Sequence, residues 1–168
     1  MMTVGQDFPD WTLQGVSSNN EFVEVDFGYS DQWRVIYFYP KDFTFICPTE
    51  IAAMDIVSDE AHVVGISGDN EYCKLAWKES NPLIENIAHT LCADTGLKLA
   101  FMLGVVDELE GVCQRATFIV DPNGTIQHIT VNALDTGRNA HETLRTLRAL
   151  KAGGLTGCSW EEGEDFVA

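Results

Sequence analysis

The pattern of apolar and polar positions divides the chain into short strands alternating with short helices. Residues 33–39 (WRVIYFY) are a nearly continuous aromatic and β-branched run that ends at Pro40, which predicts a strand buried on both faces. Residues 46–58 have helical character, with Pro48 and Glu50 suited to a first turn. Residues 62–67 (HVVGIS) predict a second buried strand. Residues 70–80, with Leu75, Ala76 and Trp77, predict a helix stopped by Asn81-Pro82. A short strand over 89–93 and a short helix over 97–103 follow. Residues 117–120 and 125–131, around Asp121-Pro122-Asn123-Gly124, predict a hairpin with a type I turn. Asn139 with Glu142 three residues on resembles a capping box. It would open a last helix with Leu144 and Leu147 inward, closed by Gly153-Gly154. Residues 1–32 read as mixed and turn-rich, with Ser17-Ser18-Asn19-Asn20 as a loop signal, and residues 155–168 as an acidic, aperiodic tail.

This order predicts an α/β fold: a central sheet, largely parallel with an antiparallel edge from the hairpin, and helices on both faces. The length of 168 residues suits one domain, without repeats or long linkers. A composition of 45% hydrophobic and 21% charged residues is that of a folded globule. Charge narrows the function classes. With 26 acidic and 10 basic residues, the net charge of -16 disfavours nucleic acid and anionic membranes as partners. No apolar run approaches the roughly 18 residues needed to span a bilayer. The start, MMTVGQDFPDW, shows no secretory signal. The five cysteines (Cys47, Cys73, Cys92, Cys113 and Cys158) contain no CxxC pair and no zinc-ligand spacing with histidine. Free thiols in a reducing cytoplasm, with no metal, are the expectation.

One segment carries chemistry. Pro40-Lys41-Asp42-Phe43-Thr44-Phe45-Ile46-Cys47-Pro48-Thr49-Glu50 follows a buried strand and leads into a helix, where sites of open α/β sheets form. Cys47 would occupy the first helical turn, where unpaired N–H groups and the helix dipole favour the nucleophilic thiolate. Thr44, three residues earlier, could orient a hydroxyl-bearing substrate, and Pro40 could shield the sulfur from water. Position alone leaves a second reading open: an inert buried thiol, a capping threonine and a strand-ending proline.

The spacing Pro40-x-x-x-Thr44-x-x-Cys47 resembles the active-site motif of the peroxiredoxins. The longer run YPKDFTFICPTEI resembles the alkyl hydroperoxide reductase C branch of their typical two-cysteine group. VGQDFPDW, VVGISGDNEYCKLAW, CQRATFIVDPNGTI, TGRNAHETLRTLRAL and CSWEEGED resemble further family segments, so the likeness spans nearly the whole chain. The resemblance implies a thioredoxin-like fold, with a central mixed sheet flanked by helices and a C-terminal tail extension. Residues 1–152 would form the peroxidase domain, and residues 153–168 the tail with the resolving cysteine. Cys47 would be the peroxidatic cysteine, and Thr44 and Arg115 would hold the peroxide oxygens. Pro40 would cap the pocket, and Glu50 and Arg138 would support the site. Hydrogen peroxide or an alkyl hydroperoxide would oxidise Cys47 to a sulfenic acid. Cys158 of a partner subunit would condense with it, and thioredoxin or a dedicated dithiol reductase would reduce the disulfide. The implied assembly is a homodimer or a ring of five dimers, and no metal, flavin or haem is needed.

The chain departs from the family pattern in three places. Its tail has Gly157-Cys158-Ser159-Trp160 rather than Cys-Pro-Ala-x-Trp. It lacks the Gly-Gly-Leu-Gly insertion between Trp77 and His89 and the Tyr-Phe tail helix of oxidation-sensitive members, which implies resistance to overoxidation. Cys73, Cys92 and Cys113 match no catalytic position; Cys73 and Cys92 read as small core residues, and Cys113 stands two residues from Arg115. Rival readings are a one-cysteine peroxidase with an external resolving thiol, a redox sensor or holdase, and a thiol-disulfide oxidoreductase. The last would need a second cysteine within Cys47-Pro48-Thr49-Glu50.

Overall fold

The computed structural model of the chain, which describes residues 2–28 and 30–168, turns the apolar run after Gln32 into the centre of a seven-stranded sheet. In chain order the strands are β1 (Thr12–Val16), β2 (Phe22–Asp26), β3 (Arg34–Phe38), β4 (His62–Ser67) and β5 (Thr90–Ala93). A two-stranded ribbon, β6 (Val106–Asp107) with β7 (Val112–Cys113), precedes β8 (Arg115–Val120) and β9 (Ile126–Asn132). The helices are α1 (Cys47–Met54), α2 (Glu71–Ser80), α3 (Lys98–Leu103) and α4 (Ala140–Ala152). Strand order across the sheet is β2-β1-β5-β4-β3-β8-β9.

Every residue of β3 is buried because neighbouring strands flank it and both faces are covered. Ile36 and Phe38 join the core under α3, while Val35, Tyr37 and Tyr39 join the core under α1, α2 and α4. The period of two on a strand thus sends alternate residues into two separate cores.

The expected mixed α/β sheet is present, but its balance differs. Only β3–β4 and β4–β5 pair in parallel; the other four pairings are antiparallel. The cause is residues 1–32, read as turns, of which Met1 and Tyr29 lie outside the described residues. Residues 12–26 form the β1–β2 hairpin around the Ser17–Asn20 loop, and β1 adds antiparallel to β5. Gly15 lets β1 lie close there, since a Cβ would meet the Leu91 carbonyl oxygen at 2.7 Å. Asn139 caps α4 by accepting from the Glu142 N–H at 3.1 Å. The Glu142 carboxylate turns to Arg145 at 2.7 Å, so the pattern is one cap rather than a reciprocal box. Gly153 ends α4 at φ 75°, as its position predicts.

The interior also holds a polar relay. His89 Nδ1 lies 2.8 Å from Asp55 Oδ1, and its Nε2 lies 2.7 Å from the Tyr37 hydroxyl. Burial raises Asp55, but bonds from His89 and the Ala88 N–H outweigh it and keep the carboxyl below its ordinary value. Burial pushes Tyr37 well above the ordinary phenol value. The carboxylate can only accept and the phenol keeps its proton, so His89 is neutral with the proton on Nδ1. Gly65 leaves the space that Tyr37 fills, since a Cβ would meet the ring at 2.5 Å.

Burial, partly offset by Asp55, holds His89 below 6.5. The unfolded chain therefore takes up the proton first. The stability that the neutral ring contributes is complete above about pH 6.5 and is lost as pH falls through that value. Urea unfolding between pH 7.5 and 5.5 should show the wild type losing more stability than His89→Gln; parallel losses would contradict this assignment.

Candidate active site

The antiparallel pairing of β3 with β8 aligns Tyr37 with Thr117. Arg115, two residues before Thr117, therefore lies level with the end of β3 that leads to Cys47. Cys47 is the first residue of α1, with Pro48 at the next position, where its missing N–H costs no helical bond. The sulfur-bearing residue is 1% exposed and Arg115 is 6% exposed. Arg115 Nη1 lies 3.3 Å from Cys47 Sγ.

Glu50, one helical turn after Cys47, fixes that guanidinium. Its Oε1 accepts from Arg115 Nη1 in a short contact, and its Oε2 accepts from Arg138 Nε at 2.6 Å and Arg138 N at 3.0 Å. The two arginines are used differently. Arg138 commits its other two side-chain nitrogens to protein: Nη1 to the Ala116 carbonyl at 2.9 Å and Thr117 Oγ1 at 3.0 Å, Nη2 to the Phe38 carbonyl at 2.6 Å. Its guanidinium also lies 5.0 Å from the centre of the Tyr37 ring. Arg115 Nε donates to the Leu134 carbonyl at 2.7 Å, and its Nη2 has no hydrogen-bond partner among the described residues. Burial lowers Arg115, but the bond to Cys47 and the Glu50 charge outweigh it, so the guanidinium holds its proton more firmly than usual.

Cys47, Arg115, Thr44 and Pro40 line one cleft of about 470 Å³, with Lys41, Glu110, Val112, Leu134 and Asp135. Thr44 does not bond the sulfur; its hydroxyl donates to the Lys41 carbonyl at 2.8 Å. The sequence-derived set of Cys47, Thr44, Arg115, Pro40, Glu50 and Arg138 is thus brought together. Cys158 is not part of it: it is exposed on the tail, with Ser159 Oγ at 3.7 Å. The tail folds back on α4, with Trp160 stacked on Phe166 and its carbonyl bonded to Arg145 at 2.8 Å.

Several site residues were not read from the sequence. Glu110 and Val112 arrive on the β6–β7 ribbon, too short to leave a periodic signal, and Leu134 and Asp135 arrive on the loop after β9. Burial pushes Cys92 and Cys113 up to about 12 and Cys73 up to about 11. All three are therefore protonated at neutral pH. Among the described residues no group of three or more His, Cys, Asp or Glu could hold a metal, and no helix is long and apolar enough to cross a membrane.

A small cleft lined by a buried cysteine and by an arginine with one free nitrogen suits a small polar electrophile. Fold and site together define a thiol-dependent enzyme on a thioredoxin-like α/β scaffold. The AhpC/TSA family matches residues 4–129. An alkyl hydroperoxide reductase C of Mycolicibacterium smegmatis is 36% identical, covering 99% of this chain and 94% of its own length. Peroxiredoxin-1 of Gallus gallus is 34% identical, covering 98% and 89%. Among solved structures, the reduced 2-Cys peroxiredoxin of Plasmodium vivax has a TM-score of 0.91 at 32% identity, covering 98% of this chain and 92% of that one. The AhpC of Enterococcus faecalis has a TM-score of 0.85 at 33% identity, covering 90% and 94%. The chain belongs to the AhpC/TSA family; it is a peroxiredoxin of the AhpC-like kind, a peroxidase enzyme.

Glu50→Gln leaves two buried guanidiniums without a counter-charge. It should lower the unfolding free energy in urea by roughly 3–5 kcal/mol. A loss below about 1 kcal/mol would show that water, not Glu50, balances them.

Proposed function

We propose that this chain reduces hydrogen peroxide and alkyl hydroperoxides through Cys47, with Thr44 and Arg115 as the groups that hold the peroxide. The observation that carries the reading is the 3.3 Å contact between Arg115 Nη1 and Cys47 Sγ, two residues that line one cleft with Thr44. The Thr44 hydroxyl donates its hydrogen bond to the Lys41 carbonyl, so its oxygen is left to accept one from the peroxide. Acceptance there fixes which peroxide oxygen faces the sulfur. The Cys47 thiolate attacks that terminal oxygen; an S–O bond forms and the O–O bond breaks. The electron pair leaves on the second oxygen, which takes up a proton as water or an alcohol. Charge grows on both oxygens as the bond breaks, and the free Nη2 of Arg115 is a preorganised donor for it. Pro40 narrows the entrance.

The sulfenic acid on Cys47 then condenses with the Cys158 thiol of a partner subunit, releasing water and forming an intersubunit disulfide. An external dithiol, thioredoxin or a dedicated reductase, reduces it by exchange. In this reading residues 1–152 are the peroxidase domain and residues 153–168 the tail that presents Cys158, on a homodimer or a ring of five dimers in the cytoplasm. The exposure of Cys158, alone among the five cysteines, favours it as the resolving thiol.

Brief hydrogen peroxide treatment followed by a non-reducing gel and peptide mass analysis tests the scheme. The wild type should give a dimer linked through Cys47 and Cys158. Cys158→Ser should lose the dimer yet consume about one peroxide per chain, and Cys47→Ser should consume none. Consumption by Cys47→Ser would overturn the assignment. Arg115→Ala should slow peroxide reduction roughly 10²- to 10³-fold.

Overoxidation gives a second check. Residues 81–89 join α2 to β5 without the Gly-rich insertion, so the link that shares a core with Ile51 and Met54 of α1, through Ile84 and Ile87, is short. Sulfinic acid should therefore build up on Cys47 only at higher peroxide than in a homologue that carries the insertion. Equal sensitivity would contradict this.

A further inference from the structure

A second buried charged cluster lies beside the loop that carries Thr44. Asp42 is in the middle of that loop, and its carboxylate is 0% exposed. It accepts from the Tyr39 hydroxyl at 2.8 Å, the Ser67 hydroxyl at 2.8 Å, and Lys74 Nζ at 3.3 Å and 3.2 Å. Lys74, on α2, is also wholly buried; its Nζ donates to Ser67 Oγ at 2.6 Å and lies 5.4 Å from the centre of the Tyr39 ring. Every charge in the cluster is answered by another group, yet none of these groups lines the Cys47 cleft.

The backbone connects this cluster to Thr44. The Asp42 N–H donates to Asp69 Oδ2 at 2.8 Å, and the Lys41 carbonyl accepts from Thr44 Oγ1 at 2.8 Å. These two groups belong to one peptide unit. A trans peptide is planar, with its C=O and N–H pointing in opposite directions. Fixing the N–H on Asp69 therefore fixes where the Lys41 oxygen points, and with it the rotor of the Thr44 hydroxyl. The Asp42 side chain, held by Lys74 and Ser67, stops the same unit from swinging about its other end. The loop needs such anchors, because Phe43 sits in the left-handed region at φ 57°, uncommon for a bulky residue.

We propose that Lys74 and Asp69 are positioning residues for peroxide: through Asp42 they lock the Lys41–Asp42 peptide plane, and that plane sets the acceptor direction of Thr44. The inference rests on the reading of Thr44 given above. A peroxide needs Thr44 to be oriented, whereas iodoacetamide needs only the Cys47 sulfur. The two reagents therefore separate orientation from general damage to the site.

The test compares second-order rate constants of reduced protein with hydrogen peroxide and with iodoacetamide at one pH. Asp69→Ala should slow the peroxide reaction about 10-fold and change alkylation of Cys47 less than about 2-fold. Asp69→Asn, which keeps an oxygen acceptor, should restore the peroxide rate. The paired variant Asp42→Asn with Lys74→Met, which leaves no lone buried charge, should resemble Asp69→Ala. If it does not fold, Ser67→Ala replaces it, with the same direction expected. Wild-type peroxide rates in Asp69→Ala would overturn the proposal, as would an equal fall in both reactions. If the wild type itself ignores peroxide, the reading of Thr44 fails instead. The loop claim is then judged by amide exchange over residues 40–46, which must quicken in Asp69→Ala and be restored in Asp69→Asn.

Discussion

The site depends on one carboxylate shared between two guanidiniums. Glu50 comes from α1, Arg115 from the start of β8, and Arg138 from the segment before α4, so the contact ties three separate parts of the chain to one point. Its side chains are 2%, 6% and 4% exposed, so solvent does little to screen them. Two positive groups against one negative leave a surplus of one positive charge beside the Cys47 sulfur. In a chain with 26 acidic and 10 basic residues, placing two of the ten here is a costly concentration unless the charge is used.

The same contact explains why the two arginines are not equivalent. Arg138 engages all three side-chain nitrogens with backbone carbonyls, Thr117 and Glu50, and rests on the face of Tyr37. It holds Glu50 in place. Arg115, which lines the cleft, is held at Nε by Leu134 and at Nη1 by Glu50 and Cys47, which leaves Nη2 without a partner among the described residues. A guanidinium suits this divided task because its fork is planar and rigid: two fixed edges determine where the third donor points. A lysine at position 115 would offer the charge without the direction.

Much of this could be read from the sequence, and the rest was hidden for definable reasons. The run at residues 33–39, the hairpin around Asp121–Gly124, the helix opening at Asn139 and the Pro-Thr-Cys spacing each carry their signal within a few residues. The first hairpin does not. β1 contains Gly15 and β2 is an edge strand with a half-exposed pattern, so neither shows an apolar run, although β1 ends inside the sheet. On α2 the apolar pattern points to Leu75, Ala76 and Trp77; of these Trp77 is buried, and it is joined inside by Lys74 and Lys78. No hydrophobicity argument places two lysines inside. They are there because distant groups wait for them: Asp42 and Ser67 for Lys74, and the Ser17 carbonyl for Lys78. Glu50 and Arg138 were named through resemblance, but their bond across 88 positions could only come from the fold.

Strand β3 joins these features. Its even positions, Ile36 and Phe38, fill one core with apolar contacts. Its odd face carries Tyr37 and continues into Tyr39, two phenols whose rings lie 6.2 Å apart. Tyr37 is fixed by His89 and supports Arg138, while Tyr39 donates to Asp42 and faces Lys74. One tyrosine thus stands behind the arginine side of the site and the other behind the threonine loop. A phenol does this better than a phenylalanine, because its ring packs like a core residue while its hydroxyl fixes rotation by one hydrogen bond. The alternation of a single buried strand, with Gly65 making room for Tyr37, therefore supports both sides of the Cys47 cleft.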